Sequence, residues 1–147
     1  GNDESSFALN AMSGRYVVMA RRTHSSYYVD VDKRYADGIV MLYGTNKTKV
    51  EELLREYSVD YLYLDSFLFQ YQMITSTRFE QYLQDNGVNF TVQDVRLDPA
   101  STEAPVYTSL VVPPMAQPTI LSHNLTAPIK QFVYVDQLHS LILKVVV

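Results

Sequence analysis

The sequence holds no cysteine among its 147 residues, so disulfide staples, cysteine zinc sites and thiol nucleophiles are all excluded. Basic residues are in deficit: twelve Lys and Arg stand against sixteen Asp and Glu, a net charge of -4. A nucleic-acid binder needs a basic surface for its phosphate contacts, so nucleic acid is not an expected partner. No apolar run approaches the roughly 18 residues needed to cross a bilayer, and no signal-peptide pattern opens the chain. The first residue is Gly1 rather than Met, which points to a piece of a longer polypeptide with a cloning remnant at its start. Missing too are a G-x-S-x-G elbow, a phosphate-cradling glycine loop and a G-x-G-x-x-G fingerprint.

What remains is an ordinary globular composition, 47% hydrophobic and 19% charged, long enough for one domain, residues 1–147, with a sizeable core. Charge is unevenly spread. Residues 1–50 carry seven bases against five acids, while residues 51–147 carry five against eleven. All six prolines fall within residues 99–128. That segment is expected to be loops and short edge strands, because proline cannot donate to a central ladder.

Before the proline segment the pattern alternates. Residues 15–20 form a short apolar run after Gly14, as expected of a strand buried on both faces. Val50, Leu53, Leu54 and Tyr57 make a helical stripe over residues 48–57, with Thr48 and Glu51 at capping-box spacing and Glu51 and Arg55 one turn apart. Residues 59–65 read as a strand, residues 77–86 as a helix capped by Thr77 and Glu80 and stopped by Asn86-Gly87, and residues 88–97 as a further strand. The stretch from Asp32 to Tyr43 leans to helix, against the presence of Gly38. Strand, helix, strand, helix, strand implies a Rossmann-like α/β fold: a parallel-core sheet flanked by helices with right-handed crossovers. Residues 131–135 and 140–147 complete it as a C-terminal antiparallel hairpin. The expected core is Val17, Val18, Leu53, Leu54, Leu62, Leu64, Phe79, Leu83, Val133 and Leu143.

The run Val50-Glu-Glu-Leu-Leu-Arg-Glu-Tyr-Ser-Val-Asp-Tyr-Leu-Tyr-Leu-Asp65, after Tyr43-Gly-Thr-Asn46, resembles a pattern of archaeal polytopic membrane proteins in which a helix ending "LLxxYxV" leads into an aromatic strand "DYxYxD". The closing segment from Phe132 to Val147 is similar to their terminal hairpin. The resemblance covers roughly half the chain. It is to soluble C-terminal domains of membrane glycosyltransferase-like proteins, relatives of mannosyltransferases and oligosaccharyltransferases. It implies a noncatalytic domain on the extracytoplasmic face of the cell membrane, borne by a membrane-spanning part of the same polypeptide and positioning a saccharide, a lipid-linked saccharide or an acceptor. The catalytic acids of such families lie in loops of the membrane part, so no catalytic residue and no cofactor is carried onto this chain.

Three sequons agree with that side of the membrane: Asn46-Lys-Thr48, Asn89-Phe-Thr91 and Asn124-Leu-Thr126. Six Asn and twenty-two Ser plus Thr would produce about one N-x-[ST] by chance. Two further readings belong to other classes. A small-anion or sugar-phosphate binding module would use Arg21, Arg22 and His24, which follow the first strand, because ligands settle outside the carboxyl ends of parallel strands and guanidiniums suit phosphate. Asp65 and Ser66, at the end of the next strand, would offer acceptors for sugar hydroxyls. A small metal-dependent glycosyl-transfer enzyme would be built on Asp30-Val-Asp32, whose carboxylates are suitable ligands for Mg or Mn. Two alternating acids are also common on a solvated strand face. His24, His123 and His139 lack metal-ligand spacing, so no metal site is expected. The twelve tyrosines could stack on sugars, but belong more simply to the core and its margin.

Overall fold

The computed structural model describes residue 18 and residues 27–64, 72–96, 98, 100–113, 118–129 and 141–147. Helix α1 spans Val31–Tyr43 and α2 spans Lys47–Glu56; strand β1 is Tyr61–Leu64 and β2 is Gln72–Ile74. A 3₁₀ turn, Thr77–Phe79, runs into the short helix α3, Glu80–Asp85. Strands β3 (Thr91–Arg96) and β4 (Val106–Val112), a second 3₁₀ turn (Thr119–His123), β5 (Thr126–Ile129) and β6 (Leu141–Val145) follow.

Among the described residues the strands form two three-stranded sheets, ordered β1-β6-β5 and β2-β4-β3, and every pairing among them is antiparallel. This overturns the Rossmann-like parallel core. Alternation of strand and helix predicts a parallel sheet only if the crossover returns the chain to the same sheet. Here β1 belongs to one sheet and β3 to the other, so the chain through β2 and α3 changes sheets. The expected strand over residues 15–20 lies outside the described residues save for Val18, which sits in a bend and packs on the core. The hairpin's first arm, residues 131–135, also lies outside them. Its second arm is β6, the central strand of its sheet, with Leu62 opposite Leu143 and Pro128 opposite the same leucine from the other side.

The proline segment needs a second correction. It holds a seven-residue central strand, β4, because Pro105 and Pro113 flank Val106–Val112 instead of interrupting it. Every ladder position there keeps its N–H. Pro128 does lie within a strand, and that strand, β5, is an edge, as proline requires.

Helix α2 follows its apolar stripe: Val50, Leu53 and Leu54 are buried and the charged positions face water. Its cap is Asn46, whose side chain accepts from Lys49 N at 3.2 Å, so Thr48 does not cap; Glu51 and Arg55 pair at 3.2 Å. Ser76 likewise replaces Thr77 as the cap before α3. Both α2 and α3 end in the same hydrogen-bond pattern. Val59 N donates to Leu54 O and Ser58 N to Arg55 O; Val88 N donates to Leu83 O and Gly87 N to Gln84 O. Each is a Schellman motif with a left-handed residue at C′, Ser58 at φ 48° and Gly87 at φ 69°. Gly87 is required for a second reason, since a Cβ there would sit 1.8 Å from Thr45 Oγ1.

Helix α1 is the most deeply placed element, buried continuously from Ala36 to Tyr43. It shares one hydrophobic core with Leu53, Leu54, Leu64, Ile74, Leu83, Leu110, Ile120 and Leu143. Of the expected core, Leu53, Leu54, Leu64, Leu83 and Leu143 are buried, Val18, Leu62 and Phe79 are partly buried against it, and Val17 and Val133 lie outside the described residues.

Candidate functional site

The densest polar grouping centres on Asp37, only 1% exposed in the middle of α1. An isolated buried carboxylate is costly, so its partners decide whether the helix can carry it. Asp37 Oδ2 accepts from Lys33 Nζ at 2.5 Å and from the Tyr57 hydroxyl at 2.5 Å, while Oδ1 accepts from the Tyr82 hydroxyl at 2.7 Å. Lys33 comes from one turn earlier on α1, Tyr57 from the end of α2 and Tyr82 from α3, so one carboxylate ties three helices together. The Lys33 ammonium and Arg34 guanidinium also lie over the Tyr57 ring, at 5.9 and 6.0 Å from its centroid.

The electrostatics follow from these contacts. Burial, then the hydrogen bond to Asp37, pushes the Tyr57 phenol up to about 12. Tyr82 is raised further by the same two causes in the same order. The hydrogen bond to Asp37 raises Lys33 above its ordinary value. Tyr43, raised to about 12, owes its shift to burial alone. Both phenols at Asp37 are therefore held protonated as donors, and both carboxylate oxygens are engaged. The grouping is built as a fastening between helices. The helix expected over Asp32 to Tyr43 is present despite Gly38, but the hub on it was not foreseen; the Lys33–Asp37 spacing of four was the available signal.

A second ion pair closes the start of α1. Asp30 is the N-cap, accepting from Lys33 N at 3.0 Å, and its other oxygen pairs with Arg78. The backbone bond first, and Arg78 second, hold its carboxyl below the usual range. Asp30-Val-Asp32 is thus the opening of a helix and not a strand face, and Asp30 already has structural partners. Among the described residues, no group of three or more His, Asp and Glu is arranged to hold a metal.

Arg21, Arg22 and His24, like Asp65 and Ser66, lie outside the described residues. A ligand site beside them would need the carboxyl edge of a parallel sheet, and the described sheets are antiparallel. His123 makes a contact the sequence did not anticipate: its Nε2 lies 2.9 Å from Gly44 O.

The sequon asparagines are all exposed. Asn46 caps α2, Asn89 lies in the loop before β3, and Asn124 follows the second 3₁₀ turn in the left-handed region at φ 56°. None lies inside a helix or strand; the strand expected over residues 88–97 begins at Thr91.

Among the described residues, no helix is long and apolar enough to cross a membrane. Compared with known proteins, the chain matches no protein-family model, no curated protein and no solved structure.

Proposed function

We propose that this chain is a noncatalytic extracytoplasmic domain of a membrane protein of the glycosyltransferase-like kind its sequence resembles. The domain stands on the outer face of the cell membrane, joined to a membrane-spanning part of the same polypeptide, and helps position a saccharide, a lipid-linked saccharide or its acceptor. One observation carries this reading: three sequons where chance gives about one, every acceptor asparagine exposed and outside regular structure. A glycan is bulky and must sit at the surface, and an asparagine facing the core or held in a central strand could not accept one. The polar residues with the clearest geometry, Asp37 with its donors and Asp30 with Arg78, serve the packing of helices.

Accessibility in intact cells tests the proposal. An epitope tag at the carboxyl end of this domain, in the full-length parent protein in its native host, should be reached by antibody without permeabilisation. A tag reached only after permeabilisation overturns the reading.

A further inference from the structure

The three sequons are far apart in sequence, at positions 46, 89 and 124, yet the fold draws them around one turn. The turn is Gly44-Thr45-Asn46, between α1 and α2. Thr45 N and Asn46 N both donate to Asn86 O, at 3.0 and 3.4 Å, and Asn46 Nδ2 donates to Asn86 Oδ1 at 3.2 Å. Asn86 is 6% exposed, and its own amide donates to Tyr82 O at 2.8 Å, so the α3 end is held rigidly against the turn. Three Cα steps of about 3.8 Å place Asn89 no more than about 11 Å from Asn86. His123 meets Gly44 O at 2.9 Å, and Asn124 is the next residue, about 3.8 Å away between Cα atoms.

We infer that Asn46, Asn89 and Asn124 form a single glycan-bearing pole centred on the α1–α2 turn. The inference rests on the extracytoplasmic reading for its biology and on the hydrogen bonds above for its geometry. Asn46 is suited to the modification despite its structural duties. Its cap uses Oδ1, which an N-linked sugar leaves free, and a modified Nδ2 keeps one hydrogen for Asn86. The far end of α1 provides a reference surface. Lys33 is eleven residues before Gly44, about 16 Å along the helix axis.

The test uses the whole chain, secreted from a glycosylating eukaryotic host behind a cleavable leader, with occupancy read peptide by peptide by mass spectrometry. Thr48→Ala abolishes the first sequon while keeping the Asn46 cap, so glycans remain only at Asn89 and Asn124. Lysine acylation is then compared before and after enzymatic trimming of each glycan to its first sugar. We expect both remaining sites to be occupied, Lys47 to react about threefold faster after trimming because bulky sugars stand over it, and Lys33 to be unchanged. Bare sites at Asn89 and Asn124, an unchanged rate at Lys47, or equal changes at Lys47 and Lys33 would each overturn the shared pole. The tagged parent protein in its native host separates the two ideas. If its carboxyl-terminal tag is reached only after permeabilisation while the secreted protein behaves as expected, the extracytoplasmic reading fails and the geometry of the pole stands.

Discussion

Two of the three buried polar side chains among the described residues, Asp37 and Ser109, are opposites. Asp37 lies in the helical layer and is surrounded by donors from α1, α2 and α3. Ser109 lies on β4, fully buried, and its hydroxyl has no hydrogen-bond partner among the described residues. The carboxylate is much the costlier group to desolvate, and it is the one whose every oxygen is satisfied. The hydroxyl's cost is small enough for the surrounding packing to offset. Polar burial in the helical layer is a source of order; on the sheet it is a tolerated loss.

The sharpest way to break this comparison is to remove the acceptor. Asp37→Ala should destabilise by about 2–5 kcal/mol, because two partly buried phenols lose their charged acceptor, while the half-exposed Lys33 ammonium is left to water. Chemical denaturation would read it, and a loss below about 1 kcal/mol would mean that water replaces the carboxylate. Leu54→Ala, in the same layer, serves as the apolar reference. Its side chain is 1% exposed, and the cavity should cost about 2–5 kcal/mol.

Tyr57→Phe deletes one donor and leaves Lys33 and Tyr82 in place, for an expected loss of about 1–2 kcal/mol. It also carries a pH signature. The folded Tyr57 phenol is raised from its ordinary 10.0 to about 12, so its contribution is whole below pH 10 and is lost as pH rises towards 12. The wild type should lose stability across that window, and Tyr57→Phe should show a shallower slope in the same titration.

Ser109→Ala should act in the opposite sense, raising stability by about 0.5–1 kcal/mol by removing an unpaired hydroxyl. A loss instead would show that the hydroxyl has a partner in solution. The smallest effect concerns the two Schellman motifs. Ser58 stands in the left-handed region where α3 uses Gly87, so Ser58→Gly should gain about 0.5 kcal/mol by relieving the Cβ strain. Thermal melts of the two proteins side by side would resolve it.

Legibility in the sequence followed the same divide between local and distant causes. Helix α2 was readable to within a residue at each end, since its one-sided stripe and mostly exposed charges are features of 10 consecutive residues. Helix α1 was the harder case, although it is longer and better buried. Burial continuous from Ala36 to Tyr43 erases the 3.6-residue period, and an internal Gly-after-Asp resembles a turn. The strand β4 was concealed by prolines that turned out to bracket it. Asn89 was expected in a strand and lies just before one, and the convergence of all three sequons had no local sign.

By itself, then, the sequence determined the helix found at Lys47–Glu56, the strand segments found at Tyr61–Leu64 and Thr91–Arg96, the left-handed stop at Gly87 and the presence of three N-x-[ST] triplets. Each depends on contacts within a few positions, where side-chain period and backbone preference act directly. Only the tertiary structure decided which sheet each strand joined, that the pairings run antiparallel, that Asp37 is a hub and that three distant loops meet at Gly44. Their deciding partners are distant: Tyr57 lies 20 residues from Asp37, His123 lies 79 from Gly44, and Lys144 lies 83 from Tyr61. No local rule reaches that far, because the free energy that selects such contacts comes from burying whole faces together.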